Sequence, residues 1–237
     1  MCKKVAFLVL LLGLCLSTPA SATNIVWVSF HSADNTPSTA AAGAGFTTAP
    51  DKGYTDLLQA NGFTVTRYAS TGTPDAALLN AADLVIVSRS VASSNYQDAA
   101  ATTWNTITVP MMILNGYVIR QSRMGLSTGS TMVDITGNIT LTVNQPAHPI
   151  FAGIPLANGT MTNPYAGRMN HPTTNALMRG ISVVTEAPNA NGTVLATVSS
   201  AGNGPASAMV IAEWPAGVTV THAGGAGTDV LGGPRLV

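Results

Sequence analysis

Along this chain, short runs that are apolar throughout alternate with stretches whose apolar residues recur at helical spacing. Residues 24–30 (NIVWVSF), 63–68 (FTVTRY), 82–88 (ADLVIVS) and 109–114 (VPMMIL) have strand length and are rich in β-branched, aromatic or other apolar side chains. Between them, 51–61 carries Tyr54, Leu57 and Leu58 at helical spacing and stops at Asn61-Gly62. Residues 75–80 follow Thr73-Pro74-Asp75, which offers an N-cap, a proline at the first helical position and an acidic first turn. A third helix is predicted over 96–105. Four strands alternating with three helices predict βαβ units, right-handed crossovers and a mostly parallel sheet on the flavodoxin-like plan. Residues 33–50, small and polar with Gly43 to Gly45 inside, predict a long loop rather than a phosphate cradle, because the glycines do not open into a helix.

The texture changes after Arg120. Residues 131–144 alternate apolar and polar positions around Gly137-Asn138, which predicts an antiparallel hairpin or a bent strand pair. A loop-rich stretch runs through His171-Pro172, and 181–185, 193–199, 208–214 and 218–221 are predicted strands that add antiparallel pairing to the second half. Residues 233–237 look like the start of a strand, which predicts a domain truncated at its C-terminal end.

Composition narrows the setting. Lys3 and Lys4, the apolar residues 5–16 and Ala20-Ser21-Ala22 have the order of a secretory signal, so 1–22 is expected to be removed and 23–237 to be the domain. The apolar segment is too short for a membrane span, so no span is expected after signal removal and the product is expected to be secreted or periplasmic in a bacterium. Both cysteines, Cys2 and Cys15, lie in the signal, leaving the mature chain without disulfide, thiol nucleophile or thiolate metal site. Without Lys3 and Lys4 the ten basic residues become eight against ten acidic ones, a net charge near −2 with 8% of residues charged. Binding to a phosphate backbone has no basic patch to work with, so nucleic acid is not an expected partner.

Candidate chemistry follows from the strand ends, because in an open α/β sheet ligands collect just past the carboxyl ends of the strands. His31, Arg89, Asn115 and Tyr117 fall there, and on this plan they converge on one rim as a polar cleft for a sugar or an acid. Arg120 and Arg123 could grip a carboxylate, or pair structurally with Asp134 or Asp83. Trp214, next to Glu213 at a strand end, is a candidate sugar platform or a core residue. Gly125 to Gly129 matches G-x-S-x-G around Ser127, but it follows no strand and opens no helix. His31, His148, His171 and His222 are scattered without a paired spacing, so neither metal nor cofactor is expected.

Four segments, GYTDLLQANGFTVTRY (53–68), TPDAALLNAADLVIVSRS (73–90), AHPIFAGI (147–154) and MVIAEWPAG (209–217), together resemble secreted bacterial members of the class I glutamine amidotransferase-like superfamily, near the trehalose-utilisation type. The resemblance implies a three-layer α/β/α sandwich. It also implies a nucleophilic cysteine on a strained turn after a central strand, with a histidine and a glutamate downstream. The matching turn here is Asn115-Gly116-Tyr117, without cysteine, and no acyl-enzyme can form without the nucleophile. The expectation is a non-catalytic domain, a binding or structural module that takes carbohydrate or another surface protein. The alternative is a carbohydrate-processing hydrolase using His31, His148 and Glu213 around a rim cleft. The His-Pro-Ile at 148–150 belongs to the resemblance; His148 either faces a ligand or metal, or caps the turn that Pro149 begins.

Overall fold

A computed structural model describes residues 23–70, 72–135, 139–162, 181–201, 203–222 and 227–237. The expected signal over 1–22, the expected turn at Gly137-Asn138 and His171 lie outside them. The chain is α/β and dominated by one mixed sheet of eleven strands.

The first half of the sheet is parallel. β1 (Asn24–Ser29) pairs with β2 (Thr64–Ala69) on one side and β3 (Leu84–Val87) on the other, and β3 pairs with β4 (Met111–Ile113). β1, β3 and β4 are largely buried, whereas β2 forms the half-exposed edge, and the alternation of side chains sorts the two faces. Ile25 and Trp27 join Ile86, Tyr54 and Leu58 on one face, under α2 (Lys52–Ala60). Val26, Val28, Val85 and Val87 face the other way, onto Leu79 of α3 (Ala76–Asn80) and Trp104 of α4 (Asp98–Thr106). Tyr96, read in the sequence as the start of α4, belongs to the 3-10 turn Ser93–Tyr96 and stacks on Trp104 with ring centroids 4.7 Å apart. The N-cap of α3 is Asp75, whose carboxylate accepts from the Leu78 N–H at 3.1 Å, rather than Thr73.

The expected loop over 33–50 contains a helix, α1 (Thr39–Gly43), whose N-cap Ser38 accepts from the Ala41 N–H. Five residues rich in alanine have the propensity for a helix but no apolar period to announce it.

The second half of the sheet is antiparallel. β5 (Met132–Ile135) and β6 (Thr140–Val143) do not form the expected hairpin with each other. β5 pairs with β8 (Ile181–Val184), while β6 lies between β7 (Thr160–Thr162) and β9 (Thr193–Val198), and β10 (Met209–Trp214) pairs with both β8 and β9. Ile135, Leu141, Phe151, Leu195 and Val198 form the core of this half. β11 (Thr219–His222) and β12 (Gly227–Val230) make a separate two-stranded sheet against α4.

The expected nascent strand at 233–237 is β13 (Arg235–Leu236), and it occupies the middle of the sheet. It runs parallel to β4 and antiparallel to β10, so the two halves meet through it. The approach is close enough that a Cβ on Gly233 would lie 2.4 Å from the Thr108 carbonyl oxygen. The parallel strands stand in the order β2-β1-β3-β4-β13, which is the 2-1-3-4-5 order of one family of doubly wound sheets.

Among the described residues no helix is long and apolar enough to cross a membrane.

Candidate functional site

The turn after β4 is built by its own side chains. Asn115 accepts from the Tyr117 N–H through Oδ1 at 2.9 Å and donates through Nδ2 to the Arg89 carbonyl at 3.0 Å, tying the ends of β3 and β4 together. Gly116 is required by its neighbour rather than by its φ: a Cβ there would lie 2.1 Å from the carbonyl oxygen of Ser182 in β8. The middle position of the turn therefore has no room for any side chain. Gly116→Ala is expected to push β8 off the turn at a cost of about 1–3 kcal/mol, read as a lower urea midpoint; an unchanged midpoint would mean the contact yields freely.

Tyr117 and β8 are joined through one carboxylate oxygen. The Tyr117 hydroxyl donates to Asp134 Oδ1 at 3.0 Å and the Ser182 hydroxyl donates to the same atom at 2.6 Å. Beside this cluster opens a cavity of about 430 Å³, whose lining includes Arg89, Asn115, Tyr117, Asp134 and Ser182 at the polar end. The rest is mainly apolar: Met112, Leu236 and Ile211 from the sheet, Ile181 and Val183 from β8, and Ile150 from a one-turn 3-10 helix, Pro149–Phe151.

The sequence-predicted rim is thus partly assembled. Arg89, Asn115 and Tyr117 meet around the cavity, while His31 and Arg120 do not line it. Arg120 braces the turn from outside. Its guanidinium lies 5.1 Å from the Tyr117 ring centroid, donates to the Tyr117 carbonyl at 2.9 Å and reaches the Ser93 hydroxyl at 3.1 Å. Neither Arg120 nor Arg123 pairs with Asp134 or Asp83 in the hydrogen bonds found; Arg123 donates to the Ser122 carbonyl, and Asp83 accepts from the Asn24 N–H.

His148 takes the turn-capping reading, and its other nitrogen faces a glutamate of the chain rather than a ligand or metal. Its Nδ1 accepts from the Ile150 N–H at 3.3 Å, capping the 3-10 turn, and its Nε2 lies 3.3 Å from Glu213 Oε2. This pair borders a second cavity of about 560 Å³, which shares Met112 and Leu236 with the first. His31 lines neither cavity, so the imagined cleft of His31, His148 and Glu213 does not form. Register gives the reason. Glu213 is level with Leu236 and Met112 within the sheet, whereas His31 lies past the end of β1. Trp214 offers no sugar platform either: it is 1% exposed, and its indole N–H donates to the Asn189 carbonyl at 2.8 Å. Ser127 of the G-x-S-x-G match is fully buried, with its hydroxyl accepting from the Gly129 N–H.

Sequence reasoning missed the most polar buried cluster. Asp51, read as a helix start, makes no side-chain cap and turns its carboxylate inward. Trp27 Nε1 and the Ser29 hydroxyl donate to Oδ2 at 2.9 and 2.7 Å, and Arg67 Nη1 lies 2.9 Å from Oδ1 as an ion contact without hydrogen-bond alignment. Arg67 Nε donates to Asp34 at 2.6 Å, and the Thr55 hydroxyl donates to the same oxygen at 2.7 Å. Burial works against the Asp34 charge, but the Thr55 and Arg67 hydrogen bonds and the nearby Arg67 and Lys52 charges prevail and hold its pKa below 3.8. The available signal was an arginine at an inward position of a strand, Arg67 in FTVTRY, which demands a buried acid. A second buried group, unannounced by spacing, joins His222 Nε2 to Asp229 Oδ2 at 2.7 Å, with Asn105 Nδ2 donating to the same oxygen at 3.0 Å.

His31 sits against the Asp51 cluster. It is 1% exposed, its Nδ1 accepts from the Ser38 N–H at 2.9 Å, and its Nε2 is buried without a partner. Burial lowers its pKa from 6.5; Asp51 opposes the shift and Arg67 adds to it. The folded imidazole therefore takes a proton less readily than the unfolded one, so stability falls as pH drops below about 6.5 and levels off below the lowered folded value. His31→Asn is expected to flatten that part of a plot of melting temperature against pH, and parallel slopes in the two proteins would refute the assignment.

No family model matches the chain, and no curated protein matches it. Several solved structures are similar. A ThuA-like protein from Bacteroides uniformis is 10% identical, with 81% of this chain and 78% of that one covered and a TM-score of 0.49. A cytoplasmic protein from Salmonella typhimurium is 9% identical, with 90% and 85% covered and a TM-score of 0.46. A GMP synthase subunit from Thermoplasma acidophilum is 12% identical, with 75% and 74% covered and a TM-score of 0.43.

Proposed function

We propose that this chain is an exported, non-catalytic domain of the class I glutamine amidotransferase-like kind, built as a flavodoxin-like three-layer sandwich and acting as a binding or structural module of a bacterial surface or secreted protein. The observation that carries the reading is the turn after β4. It stands where the resemblance places a nucleophile turn, yet Gly116 is pressed against the Ser182 carbonyl, the turn carries no thiol, and its one hydroxyl, that of Tyr117, is donated to Asp134. Beside it lies a ligand-sized cavity rather than a reacting group. Export is an expectation from residues 1–22 and disposes the same way, since the mature chain carries no cysteine.

One contact favours the hydrolase alternative, the His148–Glu213 pair. Its geometry argues against base catalysis in this state. With Nδ1 accepting from the Ile150 N–H, a neutral His148 carries its proton on Nε2, facing Glu213, and no lone pair is left to take a proton from water.

The test is residues 23–237 assayed for ammonia release from glutamine and for hydrolysis of glycosides, alongside a thermal-shift screen of small ligands. The expected outcome is no turnover, with a melting rise for at least one ligand class; a ligand at a hundredfold excess over its Kd stabilises by about 2.7 kcal/mol. Turnover abolished by His148→Ala would instead establish the hydrolase.

A further inference from the structure

The cavity beside the β4 turn limits what can occupy it. Its sheet face is Met112, Leu236 and Ile211, and β8 adds Ile181 and Val183. Of the aromatic side chains around it, Trp27 is 2% exposed and stacked on Tyr54 with centroids 5.8 Å apart, so its face is already covered. The carboxylate of Asp51, which also lines the cavity, is taken up by Trp27, Ser29 and Arg67. The other polar lining groups are Arg89, whose carbonyl accepts from Asn115, and Asn115, Tyr117, Asp134 and Ser182, with the Asp134 carboxylate accepting from both Tyr117 and Ser182.

A sugar ring carries polar groups around most of its circumference. Set against Met112, Leu236 and Ile211, its hydroxyls would leave water without regaining a bond, and each such loss is unfavourable. A molecule with an apolar body gains by the same transfer. Exposed apolar side chains also mark the way in, since Leu114 and Ile150 both line the cavity and are each 36% exposed.

We propose that this cavity binds a small, uncharged, largely apolar molecule whose single hydroxyl or amide group lies at the Asn115–Tyr117 end. The proposal rests on the binding reading above and gives it a ligand class other than carbohydrate.

The test is a fluorescence titration of residues 23–237 with N-phenyl-1-naphthylamine, an uncharged probe that brightens in apolar surroundings, competed with 1-decanol, a disaccharide and glutamine. Saturable one-site binding is expected, displaced by decanol and not by the disaccharide or glutamine. Ile150→Trp, at an exposed wall position that the fold tolerates, and Ile211→Trp, which fills the cavity from the sheet, are each expected to weaken the probe at least tenfold. Saturable binding unchanged in both variants, each melting cooperatively, would put the probe elsewhere and overturn the site. A disaccharide that stabilises the protein while the probe fails to saturate would overturn the ligand class and leave the binding reading standing. Failure of every ligand to bind would overturn the proposal and leave only a structural module. Ammonia release from glutamine bears separately, by overturning the non-catalytic reading itself.

Discussion

Replacing Arg235 by alanine is expected to destabilise the protein by about 3–4 kcal/mol. Arg235 is 1% exposed, and among the described residues no carboxylate lies within ion-pair distance of it. Its Nη2 donates to the carbonyls of Trp104, Asn105 and Ile107 at 3.3, 2.9 and 2.8 Å, and Nη1 to that of Pro234 at 3.1 Å. The first three carbonyls close the C-terminal end of α4, where the helix dipole is negative. Burial lowers the guanidinium pKa to about 10, so the group stays charged at neutral pH. Two effects compete. Burying a cation is costly, but the buried carbonyls of Trp104 and Ile107 would each lose a partner at about 1–3 kcal/mol apiece, while that of Asn105 keeps the Gly232 N–H, and a void would open beside Trp104. The carbonyls outnumber the charge, so loss should win. Arg235→Lys should also destabilise, because one ammonium cannot span carbonyls on both sides of a planar fork. Urea denaturation of wild type, Arg235→Ala and Arg235→Met decides the matter: a Met variant as stable as wild type would mean desolvation had cancelled the hydrogen bonds.

Asp51→Ala is the second large expected effect, at about 3–5 kcal/mol. It strips Arg67 of one of its two carboxylates and leaves the Trp27 indole N–H and the Ser29 hydroxyl buried without their acceptor. Much of this cost comes from the abandoned cation, so Asp51→Ala combined with Arg67→Met should be less destabilising than the two single losses added together, by about 1–3 kcal/mol. Strict additivity in the double-mutant cycle would mean that Asp34 alone satisfies Arg67. Trp27 fluorescence supplies an independent readout, since its indole hydrogen bond ends on Asp51.

The parallel half was legible in sequence because its information is local. Strands buried on both faces, such as LVIV in β3, are apolar without interruption, and α2 and α3 carry stop and start residues within a few positions of their ends. The antiparallel half was legible as strands but not as pairs. β5 and β6 are adjacent in the chain and alternate as a hairpin would, yet β5 takes its partner from residues 181–184 and β6 from 193–198. Pairing at that separation is chosen by packing of whole layers, which a local pattern does not encode. Among site residues, Asn115 and Tyr117 were found because a strand end is a position in sequence. The Arg67–Asp51–Asp34 cluster was missed because it joins a strand, a helix start and a loop, and only the fold brings them within 3 Å.

Where β13 sits also governs how the molecule is made. No other described strand bridges β4 and β10, so the sheet stays in two pieces until residues 235 and 236 arrive. A chain growing from its amino end can build β1 to β4 early, but it must hold the exposed edge of β4 unpaired through more than a hundred further residues, an order-of-events cost known from non-local sheets. The parallel and antiparallel halves are therefore expected to join only once residues 235 and 236 are available to pair with both β4 and β10.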